Sequence, residues 1–588
     1  MEDADLDGTG QGEPPGASGR PGAWAAGRGG CLRYWWAATI VAAAAAVALG
    51  LWDEGRTSRF QSRVLARYAA RLTYRFAPGP TDSVSYPAGG PFDLRRGYAF
   101  IPQIAETLAA RDLVVTGQAR MSPELLALTR RGFYAVYPTD TRAGLRVLDR
   151  EERPLYGLRF PERICADFDS IPPLVVRTLL FIENRELLDD RFPYHNPAVE
   201  WDRLTLAAVD LGLNAIGIDR PRAGGSTLAT QIEKYRHTNE GRTASPADKL
   251  KQMLAASLRA YSGGRNTIQA RRDIVRDYIN SVPLAAIRGY GEVRGLGDGL
   301  WAWFDADLEE VMRLLSGIEA GGEGAPAGTL ARRAEAYKQV LALFVAHRRP
   351  TTYLVSNREA LRADTDSYLR LLGERGLISP ELCEAALQVK LRFREGEPKR
   401  IRPSFVERKA TNAIRARLLR LTGVDQLYTL DRLDLTVHST LDGPTQKLVT
   451  RMLGRLKEPT FADSLGLREF RLLSSGDPAA VVYSFTLFES TPEGNLLRVQ
   501  ADNLDQPFDI NEGVKLDLGS TAKLRTLVSY LELAAGLHGE YAGRPVAELR
   551  KAGSEARDPI RRWAFSFLVS ASDTTLPAML ESAMNPAH

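Results

Sequence analysis

A run without a single charge, Tyr34 to Trp52 (YWWAATIVAAAAAVALGLW), divides the chain into a short tail and a long remainder. At about 1.5 Å per residue it reaches roughly 28 Å as a helix, close to the hydrocarbon thickness of a bilayer. It therefore reads as one transmembrane helix, residues 34–52. Tyr34, Trp35 and Trp36 at one end and Trp52 at the other sit where interfacial aromatics belong, and Arg28 and Arg33 flank the first side. The competing reading is a cleaved signal peptide, because Ala46, Val47 and Ala48 have an A-x-A look; the long acidic tail in front argues against it. Arg56, Arg59, Arg63 and Arg67 beyond the run blur the usual charge bias, so orientation is inferred from the function of the domains on that side.

Composition bounds the rest. Residues 1–33 are rich in Gly, Pro, Ala and acids and almost empty of large apolar side chains, so they cannot offset their ordering entropy and are expected to be a disordered cytoplasmic tail. A chain of 588 residues exceeds the roughly 250 to 300 at which single cores stop growing, so several domains are expected. Basic and acidic residues, 77 and 72, are interspersed and leave a net charge of +5, which argues against a nucleic-acid partner. Cys31, Cys165 and Cys383 lie far apart without CxxC spacing, which disfavours a zinc site and a disulfide scaffold and leaves a Cys165–Cys383 bridge open. There is no phosphate loop and no His-Glu-x-x-His, and the six histidines are scattered.

Beyond residue 52, apolar periodicity divides the chain into regions. Residues 53–155 mix a basic helical stretch (SRFQSRVLARYAARLTYRF), a Pro/Gly segment and strand-like runs, DLVVTG and FYAVYP, as a membrane-proximal α+β or stalk region. Residues 156–390 are helical, with apolar periodicity in PPLVVRTLLFIENREL, STLATQIEKY and ADKLKQMLAASLRAY. A mixed linker is expected over 391–470 and an incomplete α/β domain over 471–588; alternating runs (LDLTVHSTL, AVVYSFTLF, LLRVQADNL) span the two, and a helix starts at Ser520. The expected fold class is multidomain α+β: one transmembrane helix, a mostly helical domain, a linker, and an incomplete α/β domain.

The most specific segment is Gly224-Gly225-Ser226-Thr227-Leu228-Ala229-Thr230-Gln231-Ile232-Glu233-Lys234. A glycine pair before Ser-Thr opens a helix whose free N–H groups favour an anion, and Gln231 and Lys234 project from one face. Taken bare, the same pattern is a turn and a helix cap. Its setting resembles family 51 glycosyltransferases, of which GGST with Gln and Lys at this spacing is the second motif. Upstream, Phe181-Ile182-Glu183-Asn184-Arg185 looks like the first motif; downstream, Asp248-Lys249-Leu250-Lys251-Gln252 looks like the third. Tyr278-Ile279-Asn280 with Gly289-Tyr290-Gly291 looks like the fourth. Asn357, Leu361, Arg362, Leu371, Gly373 and Gly376-Leu377-Ile378 are similar to the helical close of that domain, which by the resemblance is lysozyme-like.

The resemblance implies polymerisation of lipid II into glycan strands. Glu183 would be the general base on the acceptor hydroxyl, with a solvated helix glutamate as the alternative. Lys234 and Lys249, with Mg²⁺ or another divalent cation as the implied cofactor, would neutralise the departing pyrophosphate. Ser226, Thr227, Gln231, Gln252, Asn280 and Glu292 complete the substrate-binding set. Departures stand out: Asn184 replaces an Asp, Leu187 an aromatic, an insertion (LDDRFPY) precedes His195, Asp248 stands where an Arg is usual, and Gln252 replaces a carboxylate. An amide can neither ligate a cation with full charge nor act as a base, and Glu292 is the candidate replacement.

Further on, Thr436-Val437-His438-Ser439-Thr440-Leu441-Asp442 resembles the opening of the linker in class A penicillin-binding proteins. Gly519-Ser520-Thr521-Ala522-Lys523 matches their Gly-Ser-x-x-Lys nucleophile motif, which implies Ser520 as nucleophile and Lys523 as its base. Ser582-Ala583-Met584 stands where a Ser-x-Asn is expected, and no Lys-Thr-Gly follows, so the chain is not expected to crosslink peptides.

These readings support three functions. The first is a peptidoglycan glycosyltransferase on the outer face of the bacterial cytoplasmic membrane, with lipid II, the growing glycan strand, the membrane and other cell-wall synthesis proteins as partners. The second is a scaffold pseudoenzyme that binds lipid II or glycan, motivated by Gln252 and Asp248. The third is a lytic, glycan-cleaving enzyme, disfavoured because most hydrolases need two neighbouring carboxylates.

Overall fold

The computed structural model describes residues 28–138, 140–201, 226–238, 241–316, 328–398, 405–469, 472–492, 494–504, 510, 514–515 and 519–585. The chain forms two compact units, Met1–Phe508 and Asp509–His588. The architecture is mixed and mostly helical, in keeping with the class expected from the pattern.

In the first unit, α1 (Arg28–Thr57) covers the charge-free run and leaves Trp36, Ile40, Val41, Leu49, Leu51 and Trp52 exposed. Among the described residues no helix is long and apolar enough to cross a membrane. Strands β1 (Tyr74–Pro78) and β2 (Gly117–Met121) pair antiparallel on either side of α2 (Pro91–Arg96) in the sequence. The strand-like runs DLVVTG and FYAVYP are not strands: the ladder starts only at Gly117, and residues 133–138 are irregular. Short apolar runs carry no partner information, and pairing goes instead to segments that find a neighbour.

Strand β3 (Leu145–Leu148) lies between β4 (Pro154–Gly157), which is antiparallel to it, and β7 (Leu435–His438), which is parallel, with Val147 opposite Val437. Leu145, Val147, Leu155, Leu430, Leu433 and Leu441 form a core beneath this sheet. A strand from the expected linker thus pairs with one from the expected stalk, and the helical body between them is fastened at both of its chain ends.

That body is built from α3 (Pro173–Glu183), α4 (Leu228–His237), α5 (Pro246–Ala260), α6 (Ile268–Ser281), the hairpin β5 (Pro283–Ile287) and β6 (Gly291–Arg294), α7 (Gly295–Phe304) and α8 (Thr329–Ala346). Pro173 starts α3 where a missing N–H costs nothing, and Leu174, Val175, Val176, Leu179 and Leu180 bury its apolar side. From Ala336 to Ala346 every residue of α8 is buried, as expected of a helix at the centre of a core. Gly295 has φ +74° and a Cβ there would lie 2.5 Å from the Asn280 carbonyl, so glycine lets α7 close against the end of α6. Cys165 and Cys383 are free thiols, which removes the bridge left open by the sequence.

The last strands, β8 (Ser484–Thr491) and β9 (Gly494–Asp502), form a hairpin in the first unit. The described residues of the second unit are helical with no strand among them, starting with α9 (Thr521–Tyr541) and gathering Leu549, Ala564, Phe565, Leu568 and Met579 into a small core. The α/β character expected for residues 471–588 is therefore carried by the hairpin before Phe508.

Candidate active site

Glu183 is the last residue of α3, and the chain leaves the helix at once through the extended, buried Asn184. The carboxylate ends up 10% exposed at the negative end of the helix dipole, where it needs outside compensation. Its Oε2 accepts a hydrogen bond from Gln231 Nε2 at 2.9 Å. Its Oε1 lies 3.4 Å from His347 Nε2 and 3.9 Å from the Arg348 guanidinium. The Tyr278 hydroxyl donates to Gln231 Oε1 at 3.4 Å, so the amide is oriented with its NH₂ toward Glu183. Burial, with Tyr235 and Glu183 adding to it, raises the Tyr278 phenol well above its ordinary value, so it remains a donor.

The opening of α4 faces the same region. Thr227 and Thr230 form a reciprocal capping pair: the Thr227 hydroxyl accepts from Thr230 N–H at 3.3 Å, and Thr227 N–H donates to Thr230 Oγ1 at 2.9 Å. Thr227 is thereby used by the helix start. Gly224 and Gly225 lie outside the described residues. Ser226 accepts from Lys249 Nζ at 2.8 Å, and Lys249 also reaches Thr230 Oγ1 at 3.5 Å. Burial first, and then the charge of Lys234, bring Lys249 down to about 8. Burial also lowers Lys234, with Glu183 opposing that shift. Two partly desolvated ammonium groups near one another favour an anion between them.

Other expected site residues go elsewhere. Gln252 is buried, with its NH₂ on the Thr238 and Thr243 hydroxyls at 2.9 and 3.0 Å, so it holds the approach to α5 and makes no contact with Glu183. Asp248 is the third residue of α5 and accepts from Ala244 and Ser245 N–H as half of a capping box. Asn280 is buried and clamps both backbone groups of Cys165, at 2.9 and 2.8 Å. Asn280→Ala should cost about 1–3 kcal/mol by leaving that buried N–H and C=O unpaired, read as a lower urea midpoint with an unchanged slope. Glu292 on β6 pairs with Arg95 at 2.6 Å and Arg294 at 3.4 Å. Burial alone would raise its carboxyl, but Arg95 and Arg294 hold it below the ordinary range, so it is a salt-bridged group rather than a spare carboxylate beside Glu183. His195 reaches the Arg56 carbonyl at 3.2 Å.

In the second unit, Ser520 and Lys523 both lie exposed at the start of α9.

Sequence reasoning missed His347 and Arg348. Their signal was a His-Arg-Arg immediately after an apolar run, LALFVA, that a core helix must bury whole. It also missed the ion network on the buried side of α4. Glu233, 2% exposed, meets Arg259 at 2.8 Å, Arg236 at 3.3 Å and His237 at 3.5 Å, and His237 meets Asp93 at 2.7 Å. This network ties α4 to α5 and to α2.

Among the described residues the donor set around Glu183 does not fit a divalent cation. One carboxylate and one imidazole stand among Lys234 and Arg348, and among the described residues no group of three His, Cys, Asp or Glu could hold a metal ion.

Residues 152–367 match the family model described as Transglycosylase, a stretch that contains Glu183, Gln231, Lys234, Lys249, His347 and Arg348. No curated protein matches the chain.

Proposed function

We propose, from a transglycosylase segment in which Glu183 stands near Lys234, His347 and Arg348, that the chain polymerises lipid II into peptidoglycan glycan strands. The growing strand carries undecaprenyl pyrophosphate as its leaving group, and the acceptor sugar hydroxyl is a poor nucleophile until a base takes its proton. Glu183 is that base. As its proton leaves, the hydroxyl oxygen bonds to the anomeric carbon and the pyrophosphate departs with the electron pair of the broken C–O bond. Lys234 and Lys249 meet the charge that grows on it, and the opening of α4 lies beside them. Gln231 holds the carboxylate in place.

The observation that supports transfer over cleavage is the company of Glu183 among the described residues, which is His347, Arg348 and Gln231. The exposed apolar side chains of α1 support a seat in the cytoplasmic membrane with the catalytic body outside. Other wall-synthesis proteins are the expected neighbours there. Gln252, locked between threonines where the resemblance implies a carboxylate, favours the scaffold reading as the alternative. Incubating the full chain in detergent with fluorescent lipid II separates them. Glycan ladders support the transferase, bound but unchanged lipid II supports the scaffold, and shortened fragments from purified cell wall support a lytic enzyme.

Lys249→Met is expected to lower turnover by about 10²-fold, the cost of one charge-stabilising donor. Because the Lys249 cation titrates at about 8, kcat/KM in the wild type should fall as pH rises through that value, and the variant should lack this limb. The Ser520–Lys523 spacing supports a second, penicillin-binding activity. Covalent labelling by a fluorescent penicillin that disappears in Ser520→Ala would establish it, and absence of labelling in the wild type would remove it.

A further inference from the structure

We propose that His347 shares with Glu183 the one proton that the carboxylate takes up, so that the imidazole acts through the carboxylate as a positioning residue for the base. The proposal rests on the transferase reading for its catalytic meaning but not for the proton sharing itself.

His347 Nδ1 lies 2.6 Å from the Phe344 carbonyl, which can only accept, so Nδ1 carries a hydrogen. In the neutral ring Nε2 is then a bare lone pair, and it lies 3.4 Å from Glu183 Oε1. An ionised carboxylate offers only lone pairs as well. Two acceptors facing each other repel, whereas one proton on either side makes an N–H···O or O–H···N bond. The side chains are 7% and 10% exposed, so little water can separate them.

The surroundings act on both members of the pair. Gln231 donates to Oε2, and Arg348 lies 3.9 Å from Oε1. Lys234 and Tyr235 act on Glu183 from α4, and Tyr278 acts on it from α6. The Tyr278 ring also meets the imidazole edge-on at 6.1 Å. Lys234 and Arg348 favour the empty carboxylate, and Nε2 favours the filled one. Burial lowers the His347 imidazolium while Glu183 pushes it up, which supports a neutral ring ready to accept. When the acceptor sugar gives up its proton, that proton binds the carboxylate and is held against Nε2. No further reactant is needed for the step, because the proton stays with the pair until it exchanges with water.

The test uses the full chain in detergent with ¹⁵N-labelled histidine, the His347 signals being identified by their loss in His347→Gln. The expected result is a neutral ring protonated at Nδ1 whose titration moves by about one unit in Glu183→Gln. In kcat/KM for lipid II, His347→Gln, whose amide can donate to Oε1, should move the acid limb to lower pH by about one unit, roughly a tenfold change in rate at fixed pH on that limb. A neutral ring whose hydrogen sits on Nε2 instead of Nδ1, or a titration indifferent to Glu183→Gln, overturns the proposal. The spectra need no turnover. Coupled titration in a chain that makes no glycan would uphold proton sharing and remove the transferase reading, whereas glycan synthesis with an uncoupled ring would remove proton sharing alone.

Discussion

Glu183→Gln should leave lipid II binding intact and lower turnover by about 10²–10⁴-fold, the usual contribution of a positioned general base. Glutamine keeps the shape and can still accept from Gln231 Nε2, but it cannot take up a proton. Affinity should not suffer, because the proposed substrate is a pyrophosphate and the variant removes one negative charge from beside Lys234 and Arg348. Stability should change little for a related reason. A carboxylate at the C-terminal end of α3 opposes the helix dipole, and losing that repulsion offsets losing the two cations. Steady-state kinetics and a binding measurement on one preparation separate the two effects. A fall in affinity with turnover intact would mean that Glu183 holds substrate and does not move a proton.

Glu233→Gln should destabilise the first unit by about 3–5 kcal/mol, because it strips the shared partner from buried cations. Arg259 and Arg236 both reach Glu233 Oε1, and His237 stands at Oε2. Burial by itself would raise this carboxyl, yet Arg259, Arg236 and His237 outweigh it and bring it to about 2 from an ordinary 4.5. A depressed carboxyl contributes stability that is fully present above 4.5 and is lost as pH falls through about 2. The gap between wild type and variant should therefore be widest on the neutral side and close in acid. Urea unfolding across that range checks it, and a gap that widens in acid would contradict the assignment.

The residues behind these two variants differ in how far the chain alone reveals them. Gln231 and Lys234 were legible because local helix geometry puts them on one face, Glu183 and Lys249 only through the resemblance of their motifs, and α3 to α5 form where the apolar periodicity places them. Gln252, Asn280 and Glu292 have the right polarity at the right positions, but their partners, Thr238, Cys165 and Arg95, come from other segments. A single-sequence pattern has no means of assigning such partners. The same holds for β7, whose alternation predicted a strand but not its parallel pairing with β3 across the whole helical body. His347 was invisible because its role depends on two facts of the folded chain, the Phe344 carbonyl that fixes its tautomer and the end of α3 that brings Glu183 to it.

Release of undecaprenyl pyrophosphate from labelled lipid II by the full chain, followed over a pH series, reports the bond-breaking step itself. Steady release that collapses above about 8, where Lys249 loses its charge, is the result expected of a carboxylate base working against a cationic pocket. Lipid II that binds and is recovered intact at every pH would contradict it.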